Sequence, residues 1–181
     1  MEQEVCIYNF DHRRGYIRSL LFPAVDEGHI YIYVASSGSF ICICWSDLSG
    51  ITSDIFDMPG LGQVEISAFS QCGSLIAAVS CDGRTLTLYN FITMAVVQRL
   101  SNRQHIGMPH CLVFSPDGKT LVVNRNRHGI EICQVHDLNI TRRLGQEDNG
   151  PRTFAVAFDP IGQFLASADQ HPNVRLWTLP F

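Results

Sequence analysis

Apolar and polar residues alternate with a period of two through most of the chain, in runs of five to eight residues cut by turn chemistry. The stretch from Gly150 to Leu179 shows the unit. Phe154, Val156 and Phe158 alternate with Thr153, Ala155 and Ala157, then Asp159-Pro160-Ile161-Gly162 supplies a turn. Phe164 to Ala168 is a second, small-residue strand, Asp169 to Pro172 turns the chain again, and Val174-Arg175-Leu176-Trp177 alternates once more. The residue ending this third strand, Trp177, has equivalents at Cys133, Tyr89 and Trp45, each 44 residues from the next. The phenylalanine closing the first strand recurs at Phe22, Phe69, Phe114 and Phe158, at intervals of 47, 45 and 44. Each is followed by a turn, Ser115-Pro116-Asp117-Gly118 being the clearest. Four copies in one period are a repeat architecture.

The pattern places strands at 16–22, 29–35, 39–45 and 51–56; at 63–69, 74–79, 85–90 and 94–100; at 109–114, 119–124, 129–135 and 139–144; and at 152–158, 163–168 and 173–178. A lone strand at 4–10 precedes the first repeat, and the fourth repeat has no fourth strand. Since an unpaired edge invites another strand, Val5–Tyr8 is expected to pair antiparallel with Val174–Trp177, within one chain or between two.

A repeat of about 44 residues with Phe-Ser-Pro-Asp-Gly after its first strand and Trp at the end of its third resembles the WD-repeat β-propellers. The signatures are degenerate. His105 stands near the place of the family's Gly-His dipeptide, Trp45 is followed by Ser-Asp, and Tyr89 and Cys133 replace Trp. Asp82, with Asn126 and Gln170 at the same offset, stands where the family has an Asp before strand three. The resemblance implies an all-β fold of about four four-stranded blades, at 16–56, 63–100, 109–144 and 152–178, plus the strand 4–10, in a single WD-repeat domain over 1–181. It leaves open a small closed ring, an open partial ring or fragment of a larger propeller, or completion by a second copy; the repeats favour the open partial ring. Phe22, Phe69, Phe114, Phe158, Trp45, Tyr89, Cys133 and Trp177 are its structural anchors.

Composition narrows the chemistry. With 46% apolar and 17% charged residues, the 181-residue chain is of globular rather than disordered type. Its net charge of −4 gives no reason to expect nucleic-acid binding. No apolar run is long enough to span a membrane as a helix, and the first fifteen residues do not read as a secretory signal. Seven scattered cysteines point to reduced thiols and a cytoplasmic or nuclear protein.

No enzyme signature, cofactor motif or metal site emerges. Gly118-Lys119-Thr120 opens a strand instead of a helix and lacks the upstream glycine of a phosphate-binding loop, so it reads as a turn. Cys42 and Cys44 share a strand face at positions the repeat fills with apolar residues, so they read as buried, metal-free core thiols. His12-Arg13-Arg14-Gly15 is similar to the Phe/Leu-Arg-Arg-Gly motif of phosphoinositide-binding propellers, which clamps phosphates with paired guanidiniums; lipid at a membrane surface is therefore the alternative partner. In a blade, the connections between repeats and the turns between strands two and three emerge on one face. Arg13, Arg14, Arg84, Arg103, Arg125, Arg127 and Arg152 fall there, mixed with Asp11, Asp57, Asp82, Glu147, Asp148 and Asp169. Arginine is enriched at binding hot spots. These seven are the candidate contact residues of a non-catalytic scaffold or adaptor for other proteins, the function that the resemblance implies.

Overall fold

The computed structural model describes the backbone at residues 17–21, 29–36, 39–46, 50–57, 64–93, 95–101, 109–125, 129–145, 152–170 and 172–179, with side chains from 64 onward. The strand expected at 4–10 lies outside these residues.

Among the described residues, fifteen strands form four antiparallel sheets in chain order. The first contains β1 (Ile17–Leu21), β2 (His29–Ser36), β3 (Ser39–Ser46) and β4 (Gly50–Asp57); the second β5 (Val64–Phe69), β6 (Leu75–Ser80), β7 (Leu86–Asn90) and β8 (Val96–Leu100). The third contains β9 (Cys111–Phe114), β10 (Thr120–Asn124), β11 (Ile130–Gln134) and β12 (Ile140–Leu144); the fourth has three strands among the described residues, β13 (Thr153–Phe158), β14 (Phe164–Asp169) and β15 (Val174–Thr178). Each sheet is a meander, and the first strand of each packs beside the first strand of the next, in the series β1, β5, β9, β13. Those strands are therefore innermost, as in WD-type blades set about an axis. No comparable packing joins β13 back to β1 among the described residues.

The repeat is a repeat of register. Ile30–Trp45, Ile76–Tyr89, Leu121–Cys133 and Leu165–Trp177 are the same cross-strand rung in four sheets. Phe69–Ile76, Phe114–Leu121 and Phe158–Leu165 are the same rung in three. A bulge recurs at Leu88/Tyr89 and Ile132/Cys133, where the outer strand joins the third. In the first sheet, Leu21 pairs with Tyr33, the register that Ile66–Val79 occupies in the second sheet. Phe22 itself lies outside the described residues.

The turns after the first strands are built alike. Gly73, Gly118 and Gly162 each donate a backbone hydrogen bond to the residue three before, at 2.9–3.0 Å. Gly118 adopts φ +71°, a conformation that side chains disfavour. Ser115 Oγ donates to Asp117 Oδ1 at 2.5 Å and accepts from the Thr120 amide at 2.9 Å; Asp117 Oδ1 also accepts from the Lys119 amide at 3.0 Å. The Ser115 hydroxyl and the Lys119 amide hold the Asp117 carboxyl below the usual carboxylate range. Gly118-Lys119-Thr120 is thus a turn leading into β10, not a phosphate loop.

The core sits between sheets. Ala77, Val79, Leu86 and Leu88 of the second sheet meet Leu112, Phe114, Leu121, Val123 and Cys133 of the third. On its other face, the third sheet sets Val122, Ile130, Ile132 and Leu144 against Val156, Phe158, Leu165 and Trp177 of the fourth. Period two gives each strand two apolar faces because a middle sheet is covered on both sides.

Candidate interaction surface

Two edges of the stacked sheets carry the connections, and hydrogen bonds join several of the described turns on each. On one edge, the turns between strands one and two bond those between strands three and four. The Phe91 amide donates to the Ser74 carbonyl, Val135 to Lys119 and Leu179 to Gln163, at 2.8–3.1 Å. On the other edge, the turns between strands two and three meet the connections between sheets. There the Gln170 amide donates to the Arg152 carbonyl at 2.8 Å, and Asn124 Nδ2 to the Thr153 carbonyl at 2.9 Å. The second edge is the face on which the sequence groups its arginines.

Three of the seven candidate arginines are described. Arg84, in the turn between β6 and β7, is exposed, and so is Arg152, just before β13. They lie two sheets apart, so they belong to one face without forming a cluster. Arg125 is different. It opens the turn between β10 and β11 at 4% exposure, and its Nε donates to Glu131 Oε2. Glu131 Oε1 also accepts from Arg143 Nε at 3.2 Å. Arg125 therefore braces its own sheet and offers a partner little surface. Arg13, Arg14, Arg103 and Arg127 lie outside the described residues, as does the whole His12–Gly15 motif.

The same two positions in the next repeat are Asp169 and Arg175, with the charges exchanged; Arg175 Nε stands 3.6 Å from Asp169 Oδ2. Beside this pair Trp177 Nε1 donates to Ser167 Oγ at 2.9 Å. Asp169, Arg175, Ser167 and Trp177 line a small open pocket with Ile130 and Gly145 between the third and fourth sheets. A β-carbon at Gly145 would lie 3.9 Å from both the Trp177 ring and the Arg175 guanidinium, at a backbone φ of +64°. The chain leaves β12 there in the left-handed conformation that favours glycine. The charge exchange across one 44-residue step was readable in the aligned repeats; that Arg125 and Glu131 are buried together was not.

Of the anchors, Tyr89 and Cys133 are fully buried, Phe69 and Phe114 are buried, and Phe158 and Trp177 are partly buried in the core between sheets. Trp45 is on β3 at its repeat rung. Cys42 and Cys44 are also on β3, and their side chains lie outside the described residues.

Among the described residues no three His, Cys, Asp or Glu side chains are grouped to hold a metal ion, and no helix is long and apolar enough to cross a membrane. The described thiols differ in their surroundings. Cys72 is exposed on the opposite edge, and hydrogen bonds from Ser70 and Ser74 lower its pKa. Burial pushes the Cys111 thiol up, and Cys133 is inaccessible. Thiolate is the reactive form. Iodoacetamide at neutral pH is therefore expected to alkylate Cys72 ahead of Cys111 and Cys133 in the folded protein, read by peptide mass spectrometry. Equal labelling of Cys133 would mean that the second and third sheets are not packed as described.

No family model matches the chain. It is 28% identical over 162 residues to human WD repeat and HMG-box DNA-binding protein 1, 26% to the mouse protein of that name and 24% to that of Xenopus laevis. Each comparison covers 84% of this chain and 14% of the relative, so the chain spans about a seventh of the length of the curated relatives it matches. The likeness is to proteins named for WD repeats, and it accords with the 44-residue period and with the antiparallel four-stranded sheets.

Proposed function

We propose that this chain is a non-catalytic protein-interaction platform of WD-repeat type, whose contact surface is the edge bearing the connections between sheets and the turns between strands two and three. The observation that carries the reading is the placing on that edge of exposed arginines, Arg84 and Arg152, with the Arg152 carbonyl held by the Gln170 amide of the neighbouring turn, above a closely packed core. Rigid turns lose little freedom on binding, and arginine can pair in a planar, bidentate way with acidic partners. The WD-repeat names of the relatives favour the same class. The HMG box and DNA binding in those names belong to proteins about six times the length of this chain, and nothing in this chain's charge favours nucleic acid.

The test compares the chain with an Arg84→Glu/Arg152→Glu variant in quantitative affinity purification, both first checked for the same thermal midpoint. Protein partners recovered by the first and depleted at least several-fold by the second are the expected result. Identical recoveries would sink this choice of surface. Liposomes containing phosphoinositides form the second arm. Binding lost on Arg13→Ala/Arg14→Ala would replace the protein reading by the lipid one.

A further inference from the structure

The outermost strand of the second sheet lacks the charges that guard its counterpart in the third. β8 ends the order β5-β6-β7-β8, and among the described residues no strand lies beyond it. Its outer side is therefore a row of amides and carbonyls that another extended chain can take up, a pairing that natural sheets discourage with charge, short strands or bulges. The third sheet supplies the comparison, because β12 is the same strand one 44-residue step later. Both strands are five residues long, both carry the bulge where they join the third strand, and Tyr89–Val96 and Cys133–Ile140 are the same rung. Length and bulge are thus equal, and only the side chains differ.

In the third sheet the outer hairpin is charged. His136 and Asp137 occupy its turn, Arg142 and Arg143 follow on β12, and Arg142 Nη1 donates to the Thr178 carbonyl at 3.2 Å. One repeat earlier those four places hold Ile92, Thr93, Gln98 and Arg99, and no charged residue occurs from Thr85 to Gln98. Ile92 is 81% exposed, Val97 52% and Val96 40%. Singly exposed apolar residues are ordinary, whereas three at one uncharged hairpin beside an unpaired strand form a patch. The strand is nonetheless held in place: Gln98 Nε2 donates to the Asp137 carbonyl of the third sheet at 3.4 Å. A strand already ordered gives up little freedom on binding.

The backbone sets the form of the occupant, and two side chains set its chemistry. Arg99, exposed and the one charge on β8, stands on the Thr87 rung. Val96 stands on the Tyr89 rung, so the two lie on one face of the sheet. We propose that β8 takes up an extended segment of another protein as a fifth strand of the second sheet, with an apolar residue beside Val96 and an acidic one beside Arg99. Main-chain hydrogen bonds supply the affinity of such a pairing, and alternate side chains supply its specificity. The inference goes beyond the proposed contact edge, and Arg84 and Arg152 take no part in it.

The experiment selects phage-displayed random dodecapeptides on the immobilised full chain and measures the enriched ones, as synthetic peptides, by fluorescence anisotropy. The expected sequences alternate apolar and acidic residues, and their binding slows amide hydrogen exchange over residues 95–100. Val96→Lys/Val97→Lys, at positions already exposed, is expected to weaken binding about tenfold with the thermal midpoint unchanged. Arg99→Glu is expected to turn the selected charge from acidic to basic. The Arg84→Glu/Arg152→Glu variant is expected to bind these peptides as the wild type does, so that the two surfaces fail independently. No enriched sequence, or binding that both β8 variants leave intact, would overturn the proposal. So would protection from exchange at another strand in place of β8. A wild-type dimer in light scattering that Val96→Lys/Val97→Lys dissociates would also overturn it, because β8 would then pair with a second copy of this chain.

Discussion

Phe114→Ala is expected to lower the unfolding free energy by about 3–5 kcal/mol, read from the shift in a urea unfolding curve. Phe114 ends β9, pairs across to Leu121, and is buried in the cluster that joins the second sheet to the third. Truncation removes an aromatic ring from a site lined by buried apolar side chains of two sheets, and close packing limits collapse around the void. A loss of this size is a large share of the stability of an ordinary domain. Phe158→Ala occupies the same rung one repeat later but is only partly buried, so its loss is expected to be smaller. Equal losses at the two sites, or a Phe114 loss under about 1 kcal/mol, would contradict the packing order described.

Glu131→Ala is the second large effect, also about 3–5 kcal/mol, because it leaves the Arg125 charge buried without its counterion. Arg125 is within the protein and cannot turn to water as a surface arginine would. Arg143, the other arginine on Glu131, has a half-exposed side chain, and Arg143→Ala is expected to cost no more than about 1 kcal/mol. The pair of unfolding curves separates a buried ion pair from a surface one. If Arg143→Ala proves as damaging as Glu131→Ala, the charge that matters is the outer one. A double Arg125→Met/Glu131→Leu substitution is expected to recover much of the loss, since removing both charges removes the desolvation cost as well.

Both effects turn on burial, and burial is where sequence and structure part. The Phe114 anchor was legible: its period, the turn after it and the alternation before it all gave the same strand end. The role of Arg125 was not. An arginine in a turn reads as solvent-facing, and only the strand opposite, carrying Glu131 six residues on, decides that this one points inward. Arg84, in the corresponding turn one sheet earlier, is exposed as the sequence suggests.

By itself, the amino-acid order determined the secondary structure, the repeat and the class of architecture. Those depend on local patterns: period-two alternation, glycine and proline at turns, and one residue type returning every 44 positions. Tertiary structure alone decided which of two equally apolar faces is covered. Leu88 and Leu176 are the same residue at the same repeat position, with the same neighbours in sequence pattern, yet one is fully buried and the other 68% exposed. Among the described residues, the third sheet lies over Leu88 and no sheet lies over Leu176. Burial is a property of what lies across the interface, tens of residues away along the chain, and no local pattern encodes it.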